Sequence, residues 1–293
     1  MDAARGPGID TPAGYTRLQR TGTGTEADTY RAWDERAGRW AVLKLFHRYL
    51  GGRAEEAAFA AYCAATVGLG RHPSIVPVRC GGITATGRPW LVLDEVDGRT
   101  LAEAMAGDRP PSPAEALQIV IALADALAWA HSMRPPMAHG RLRPADIRLD
   151  ASGVPLLTEF AAPVVAATPT PGGDVVSLTL LLFQLVTGSP WPGDSVDDGR
   201  ILAVWPGLTV LIDQALAPIP QVDTMAELAD RLRLVCLAAG PMIPLPAAPP
   251  APLPVVAEPV EPPARRSARY GRALALLALL PAGRVFRGSA KNR

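Results

Sequence analysis

Four short segments of this sequence carry residue types that could bind an anion or a metal ion. Gly22 and Gly24 stand in a polar stretch, and glycines let backbone amides come close to an anionic ligand. Lys44 lies inside a short apolar run, where an ammonium group needs an anionic partner. Asp146 and Glu159 offer carboxylate oxygens, which are ligands for Mg²⁺. Taken alone, the glycine pair is more typical of an ordinary polar hairpin, so the residue types by themselves leave the chemistry open.

The elements that must position these residues change from strands to helices along the chain. The N-terminal third has short strand-like runs, such as WAVLKLF and PWLVLDEV, with one Ala-rich helical stretch from Arg53 to Thr66. From Ser112 onward, apolar residues recur at helical spacing, as in ALQIVIALADALAWAH and VVSLTLLLFQLV. The pattern predicts a small β-rich lobe followed by a larger α-helical lobe.

The bulk composition narrows the class of protein. A chain of 293 residues with 48% hydrophobic and 19% charged residues can bury a large core, so we expect a globular protein. With 29 basic and 28 acidic residues the net charge is +1, which gives no electrostatic footprint for nucleic acid. The three cysteines have neither a disulfide pattern nor metal-ligand spacing, and no signal peptide is visible, so we expect a cytoplasmic location.

The C-terminal part differs from the rest in composition. Residues 241–268 are rich in proline, which removes backbone donors and favours a solvated linker. The tail at 269–293 holds an apolar run of roughly 11 residues between arginines, too short for the ~20 residues of a membrane span. A peripheral membrane anchor and a poorly ordered tail remain equal alternatives for this segment.

The order of motifs resembles that of a bacterial serine/threonine protein kinase domain over roughly residues 14–238. The matching segments are GTGTEA, AVLK, HPSIV, LVLDEVDG, HGRLRPADIRLD, LLTEFA, DVVSL and LVTGSPW. The resemblance implies an α+β fold with two lobes, a small β-rich N-lobe, a larger α-helical C-lobe and a shortened activation segment. We therefore expect a flexible N-terminus at 1–13, a kinase-like domain at 14–240 (N-lobe 14–96, C-lobe 97–240), the linker at 241–268 and the tail at 269–293.

The resemblance implies a nucleotide site built from both glycines, one lysine and the hinge. Gly22 and Gly24 match two of the three glycines of the family's loop, and the third is alanine. Lys44 matches the lysine that contacts the α- and β-phosphates, and backbone groups from Asp94 to Val96 match the hinge that binds adenine. ATP is the cofactor that this resemblance implies.

The segment HGRLRPADIRLD aligns without gaps on the family pattern H-R-D-x-K-P-x-N-I-L-L-D, but its catalytic residues differ. Arg141 occupies the position of the aspartate that accepts the substrate proton, which a guanidinium cannot do. Arg143 occupies the position of the lysine that steadies the phosphate. Asp146 and Glu159 occupy the two metal-ligand positions, so Mg²⁺ follows only if both still serve as ligands. The resemblance therefore implies no competent catalytic residue.

Two further features of an active kinase are missing. The helix glutamate that pairs with the lysine is absent, because Tyr62 or Cys63 falls at its position. No A-P-E motif follows Glu159, since only residues 162–173 separate the E-F-A segment from the next helix. Both absences indicate that the machinery for transferring phosphate to a protein substrate has been lost.

These observations favour a pseudokinase, a regulatory or scaffolding module with residual ATP binding, over an enzyme. One alternative is an active but atypical serine/threonine kinase that works by positioning alone. A second alternative is a structural adaptor that binds no nucleotide. The resemblance implies protein partners, namely an active kinase or a phosphopeptide-binding domain, and no nucleic acid; the tail at 269–293 would allow weak peripheral membrane contact.

Overall fold

The computed structural model of the chain describes residues 10–162, 169–193 and 205–238. The predicted linker at 241–268 and tail at 269–293 lie outside the described residues, as does most of the predicted flexible N-terminus at 1–13. The boundaries proposed for these segments therefore stay predictions.

The N-terminal lobe is a five-stranded antiparallel sheet with one helix packed against it. Its strands lie in the order β1-β2-β3-β5-β4. The elements are β1 (Tyr15–Thr23), β2 (Ala27–Asp34), β3 (Arg39–Phe46), α1 (Arg53–Leu69), β4 (Val78–Ile83) and β5 (Pro89–Asp94). The predicted Ala-rich helix is α1. It packs on the sheet because its buried residues Phe59 and Cys63 form one apolar cluster with Phe46 of β3.

The second lobe is mainly helical and is entered through a small three-stranded sheet. Its elements are β6 (Gly98–Thr100), α2 (Leu101–Ala106), α3 (Pro113–Ser132), a 3₁₀ turn (Pro144–Asp146), β7 (Ile147–Asp150), β8 (Pro155–Leu157), α4 (Pro171–Thr187), α5 (Pro206–Leu216) and α6 (Met225–Ala238). The sheet has the order β6-β7-β8. The predicted two-lobed α+β architecture, β-rich first and helical second, is confirmed.

Local sequence fixes where the helices of this lobe begin. Ser112 caps α3 through a reciprocal capping box with Glu115, and Pro113 occupies the first helical turn, where its missing N–H costs nothing. Thr100 caps α2 in the same way with Glu103. These caps place α3 so that its apolar residues enter the core of the lobe.

Helix α3 is the central helix of this core. Its fully buried side chains include Leu117, Ile121, Leu123 and Leu127. It is also the one helix in the described part of the chain that is long and apolar enough to cross a membrane, and 56% of the apolar window is buried inside the protein. Its hydrophobicity is accounted for by packing against α4 and α6.

Candidate nucleotide cleft and catalytic loop

A cleft of about 300 Å³ lies between the sheet of the first lobe on one side and strand β7 and the turn after β8 on the other. This volume is at the lower end of the range of about 300–1,000 Å³ seen for small-molecule sites. Four residues predicted from the sequence line it, namely Lys44, Asp94, Val96 and Glu159. The structure therefore brings the lysine, the hinge and one predicted metal ligand to a single cavity.

The two glycines form a tight hairpin between β1 and β2. The Gly24 amide donates to the carbonyl oxygen of Ala27 at 2.9 Å, so this donor closes the turn. Gly22 pairs with Thr29 across the two strands, and the cleft wall here is formed by Thr21 and Thr29. The arrangement matches the ordinary hairpin that the glycine pair alone suggests, and phosphate contact by these glycines stays a prediction.

Lys44 forms an ion pair with Glu159, whose carboxylate approaches the lysine Nζ closely. The lysine is buried on β3, so its ammonium requires this partner. The sequence predicts that the usual partner on α1 is missing, and Tyr62 of α1 lines a small pocket together with Lys44 and Glu159. The replacement by Glu159 was not predicted, because the two residues are 115 positions apart.

The backbone at Glu159 is held in an uncommon conformation. Glu159 has φ = 64°, in the left-handed region that residues other than glycine rarely adopt. The segments on both sides are anchored: the Tyr62 hydroxyl donates to the Phe160 oxygen at 2.8 Å, and the Ala161 amide donates to the His139 oxygen at 3.2 Å. The surrounding contacts thus fix the turn that points Glu159 at Lys44.

Asp174 organises the start of the catalytic loop, residues 139–150, which are named so because they align with that segment of the family. This fully buried carboxylate accepts hydrogen bonds from the backbone amides of His139 (2.7 Å) and Gly140 (2.8 Å) and contacts His131 Nε2 at 2.8 Å. It lies in the first turn of α4, as the sequence predicted. The His139 ring contacts the Thr158 oxygen through Nε2 at 2.6 Å, and burial lowers the pKa of His139, so the ring is neutral with its proton on Nε2.

Gly140 occupies a position where the family pattern has arginine. Its φ of +84° is left-handed, and a Cβ at this position would lie 2.7 Å from the Cβ of Pro169. A side chain is therefore excluded for two reasons. Pro169, two residues before α4 begins, lies against Gly140, and only glycine allows this approach.

The two arginines of the catalytic loop behave differently. Arg141, at the proton-acceptor position, is exposed and makes no hydrogen bond or ion pair with another described residue. Arg143 binds Asp146 in a bidentate pair, with Nε–Oδ2 and Nη2–Oδ1 distances of 2.8 Å. This pairing raises the pKa of Arg143 further. Both oxygens of the predicted metal ligand Asp146 are thus bound to a guanidinium.

No group of three or more His, Cys, Asp or Glu side chains that could hold a metal ion occurs within residues 10–162, 169–193 and 205–238. Asp146 and Glu159, the predicted ligands, each contact a cation of the chain itself. Their assignment as Mg²⁺ ligands stays a prediction.

Arg148 is a cleft residue that sequence reasoning missed. It lines the cavity, and its Nη2 donates to the carbonyl oxygens of Val96 (3.1 Å) and Gly98 (2.8 Å). One hinge carbonyl at the predicted adenine position is therefore already occupied. The sequence did contain a sign of this role, because Arg148 stands where the family pattern I-L-L has an apolar residue.

A second unpredicted pair lies on the hinge side of the cleft. Arg31 of β2 binds Glu95 through two contacts, at 2.5 and 3.1 Å, and its guanidinium stacks on the Trp40 ring at 4.2 Å. Both members line the cleft. This ion pair links the sheet of the first lobe to the hinge. Because both side chains are partly exposed, we expect the pair to stabilise the fold only weakly.

Comparison with protein families and known proteins supports the kinase-like assignment. Residues 17–167 match the model of the phosphotransferase enzyme family, which is slightly more than half of the chain. The chain is 30% identical over 200 residues to the serine/threonine-protein kinase PknK of Mycobacterium bovis, covering 60% of this chain and 18% of that protein. It is also 30% identical over 143 residues to a probable serine/threonine-protein kinase of Streptomyces coelicolor, covering 47% and 21% of the two chains.

Other comparisons concern an inactive relative and the fold. A leucine-rich repeat receptor-like protein of Arabidopsis thaliana, described as a probably inactive kinase, is 28% identical over 57% of this chain and 24% of its own length. The chain thus spans about a quarter or less of these curated relatives. The kinase domain of Mycobacterium tuberculosis PknI superposes with a TM-score of 0.62 at 25% identity, covering 80% of this chain and all of that domain.

Proposed function

This chain belongs to the phosphotransferase enzyme family and has a protein kinase-like domain, and from that premise we propose that it is a pseudokinase. In this proposal it is a regulatory or scaffolding module that binds ATP in the cleft around Lys44 without transferring the phosphate. Its partners are proteins, as those of a kinase-like module would be.

The proposal depends mainly on the residue at the position of the family's proton acceptor. Arg141 stands there, exposed and without a carboxylate partner among the described residues. A guanidinium stays protonated at every pH that a protein survives, so it cannot accept a proton from a substrate hydroxyl. The neighbouring carboxylate, Asp146, is bound through both oxygens to Arg143. Loss of a general base costs a factor of about 10²–10⁴ in rate.

The cleft itself supports nucleotide binding. It retains a volume suited to a small ligand, with the lysine at one end and the hinge residues Asp94 and Val96 at the other. Apolar side chains, Val42, Val76 and Leu93, line it between these polar ends. A planar base among the apolar residues and phosphates near Lys44 would match this distribution of groups.

The test is a transfer assay on the full chain. The chain is incubated with MgCl₂ and ATP labelled at the γ-phosphate, with casein as a protein substrate and an active serine/threonine kinase assayed in parallel. We expect no label on the chain or on casein above the level found with the Lys44→Met variant. Label that requires Mg²⁺ and is lost in that variant would instead support the active, atypical kinase.

The proposal extends to partner and location. The module would bind an active kinase or a phosphopeptide-binding domain in the cytoplasm, with the tail at 269–293 touching the membrane surface. Fractionation of cells expressing the full chain and a chain ending at residue 268 tests the tail. Equal amounts in the membrane fraction would contradict the tail contact.

A further inference from the structure

We propose that the cleft takes ATP without a divalent cation, because Lys44 and Arg143 neutralise the two carboxylates that would otherwise hold Mg²⁺. This inference rests on the proposed function, since it concerns the same cleft. In kinases the metal bridges the phosphates to oxygen ligands of the protein. The corresponding positions here are Asp146 and Glu159, and the structure binds each of them to a basic side chain.

Asp146 does not fit a metal ligand in this arrangement. Its carboxylate is 8% exposed, and both oxygens accept charge-assisted bonds of 2.8 Å from Arg143. Mg²⁺ requires near-ideal octahedral geometry at about 2.0–2.1 Å, so it would have to displace the guanidinium from at least one oxygen. A bidentate arginine–carboxylate pair is among the stronger ion pairs in proteins, which makes this displacement costly.

Glu159 is likewise bound to a cation of the chain, the ammonium of Lys44. Its partner Lys44 is buried, so in the nucleotide-free chain moving the carboxylate to a metal would leave an unpaired ammonium in the protein interior. The left-handed backbone at Glu159, anchored through Phe160, aims the side chain at the lysine. A metal ion would therefore compete with Lys44 for the same carboxylate.

The charge of the site also favours the metal-free nucleotide. At the aligned positions this chain has three cations, Lys44, Arg141 and Arg143, against the two carboxylates Asp146 and Glu159. The family pattern has three cations, because it includes the arginine at the position of Gly140, against three carboxylates, because it includes the catalytic aspartate and the helix glutamate. The balance thus moves from neutral to one positive charge. Free ATP is more negative than its Mg²⁺ complex and is the better match.

Arg143 lies beside the cleft without lining it. Its partner Asp146 accepts hydrogen bonds through its main-chain oxygen from the amide (3.2 Å) and the hydroxyl (2.8 Å) of Thr158, and Thr158 lines the cleft. We infer that phosphate oxygens are neutralised there by Lys44 and Arg143.

Calorimetric titration of the full chain with ATP tests the inference, once in EDTA and once in excess MgCl₂. We expect binding in EDTA that is at least as tight as binding with Mg²⁺. Binding that requires Mg²⁺ would overturn the inference, and so would an absence of binding in both buffers. Phosphate transfer is judged by the separate labelling assay, so failure of the pseudokinase proposal is distinguishable from failure of this one.

A charge variant makes the test sharper. Arg143→Gln frees both oxygens of Asp146 while removing one cation, so we expect affinity in EDTA to fall about 10- to 100-fold and Mg²⁺ to tighten binding instead. Arg109→Gln removes the same charge at an exposed site 3.3 Å from Glu115 and should leave both affinities unchanged. Unchanged binding of Arg143→Gln in EDTA would contradict the role given to Arg143.

A second variant covers the case in which Arg143→Gln fails to fold. Asp146→Leu removes the carboxylate and every metal-ligating oxygen of this buried side chain while keeping its approximate shape. We expect it to bind ATP in EDTA at least as well as the unmodified chain, with no response to Mg²⁺. A loss of affinity confined to the Mg²⁺ buffer would show that Asp146 is a metal ligand after all.

Discussion

The Tyr62 hydroxyl donates a hydrogen bond to the main-chain oxygen of Phe160, with 2.8 Å between the two oxygens. This contact joins α1 to the turn after β8, from the region of the helix where the resemblance expects a glutamate. Because Tyr62 of α1 is a neutral donor and not a carboxylate, it does not compete with Glu159 for Lys44, and the lysine pairs with Glu159. A change on the helix and a new ion pair in the cleft are thus parts of one arrangement.

We predict that Tyr62→Phe destabilises the fold. The substitution keeps the ring and removes the hydroxyl, which leaves the oxygen of the buried residue Phe160 without this donor. An unsatisfied buried acceptor costs about 1–3 kcal/mol, so the free energy of unfolding should fall by that amount in urea denaturation.

The matched control is Tyr49→Phe, which removes a hydroxyl from a ring that is 49% exposed. Its free energy of unfolding should change by less than about 0.5 kcal/mol. Equal stabilities of the Tyr62 variant and the unmodified chain would show that water or another donor satisfies Phe160.

Replacing Asp174 should have a larger effect. The Asp174→Asn variant loses the charge that binds two backbone amides and His131, and one amide N–H would face a donor. Because each hydrogen bond to a charged group is worth about 1.5–3 kcal/mol, we expect a loss of at least about 3 kcal/mol. Urea denaturation measures this loss. Asp108→Asn, at an exposed position before α3, is the control and should be nearly neutral.

The buried ring of His139 predicts a dependence of stability on pH. Burial lowers the pKa of His139 in the folded chain, while the unfolded value is about 6.5. Below that pH the unfolded chain binds a proton that the folded chain does not, so stability is full above pH ~6.5 and falls as the pH is lowered. The slope contributed by this one group is at most about 1.4 kcal/mol per pH unit.

His139→Gln isolates this contribution, because a glutamine amide can still donate to the Thr158 oxygen without titrating. The variant should show a shallower decrease in stability between pH 7 and pH 5, the remaining slope including that of His72, whose pKa burial also lowers. An unaltered slope in His139→Gln would mean that the ring is not held neutral.

Much of the fold could be predicted from the sequence because it depends on local patterns. The short apolar run WAVLKLF identified β3, and the helical spacing of apolar residues in ALQIVIALADALAWAH identified α3. Asp174 was placed correctly at the start of α4 by its motif. Capping by Ser112 could likewise have been found from Glu115 three positions later.

The ion pairs of the site were harder to predict. Arg143 and Asp146 are three residues apart, so their pairing was accessible from spacing, although the resemblance assigned them separate roles. Lys44 and Glu159 are 115 positions apart, and only the packing of the two lobes brings them together. The contact of Arg148 with the hinge carbonyls likewise depends on how β7 lies beside β6.

Arg148 leads to a last prediction, on affinity for ATP. Its guanidinium lines the cleft and donates to the oxygens of Val96 and Gly98, so a base entering the cleft covers a polar group that is only partly satisfied. Arg148→Leu restores an apolar wall and frees the Val96 carbonyl. We expect calorimetry in EDTA to show binding about tenfold tighter, since burying one or two extra methylene equivalents is worth about 1.4 kcal/mol. Arg99→Leu, on the exposed side of β6, is the control for added hydrophobicity. Weaker binding in Arg148→Leu would indicate that the planar guanidinium stacks on the base, and the cleft would then hold its nucleotide between Val42 and Arg148.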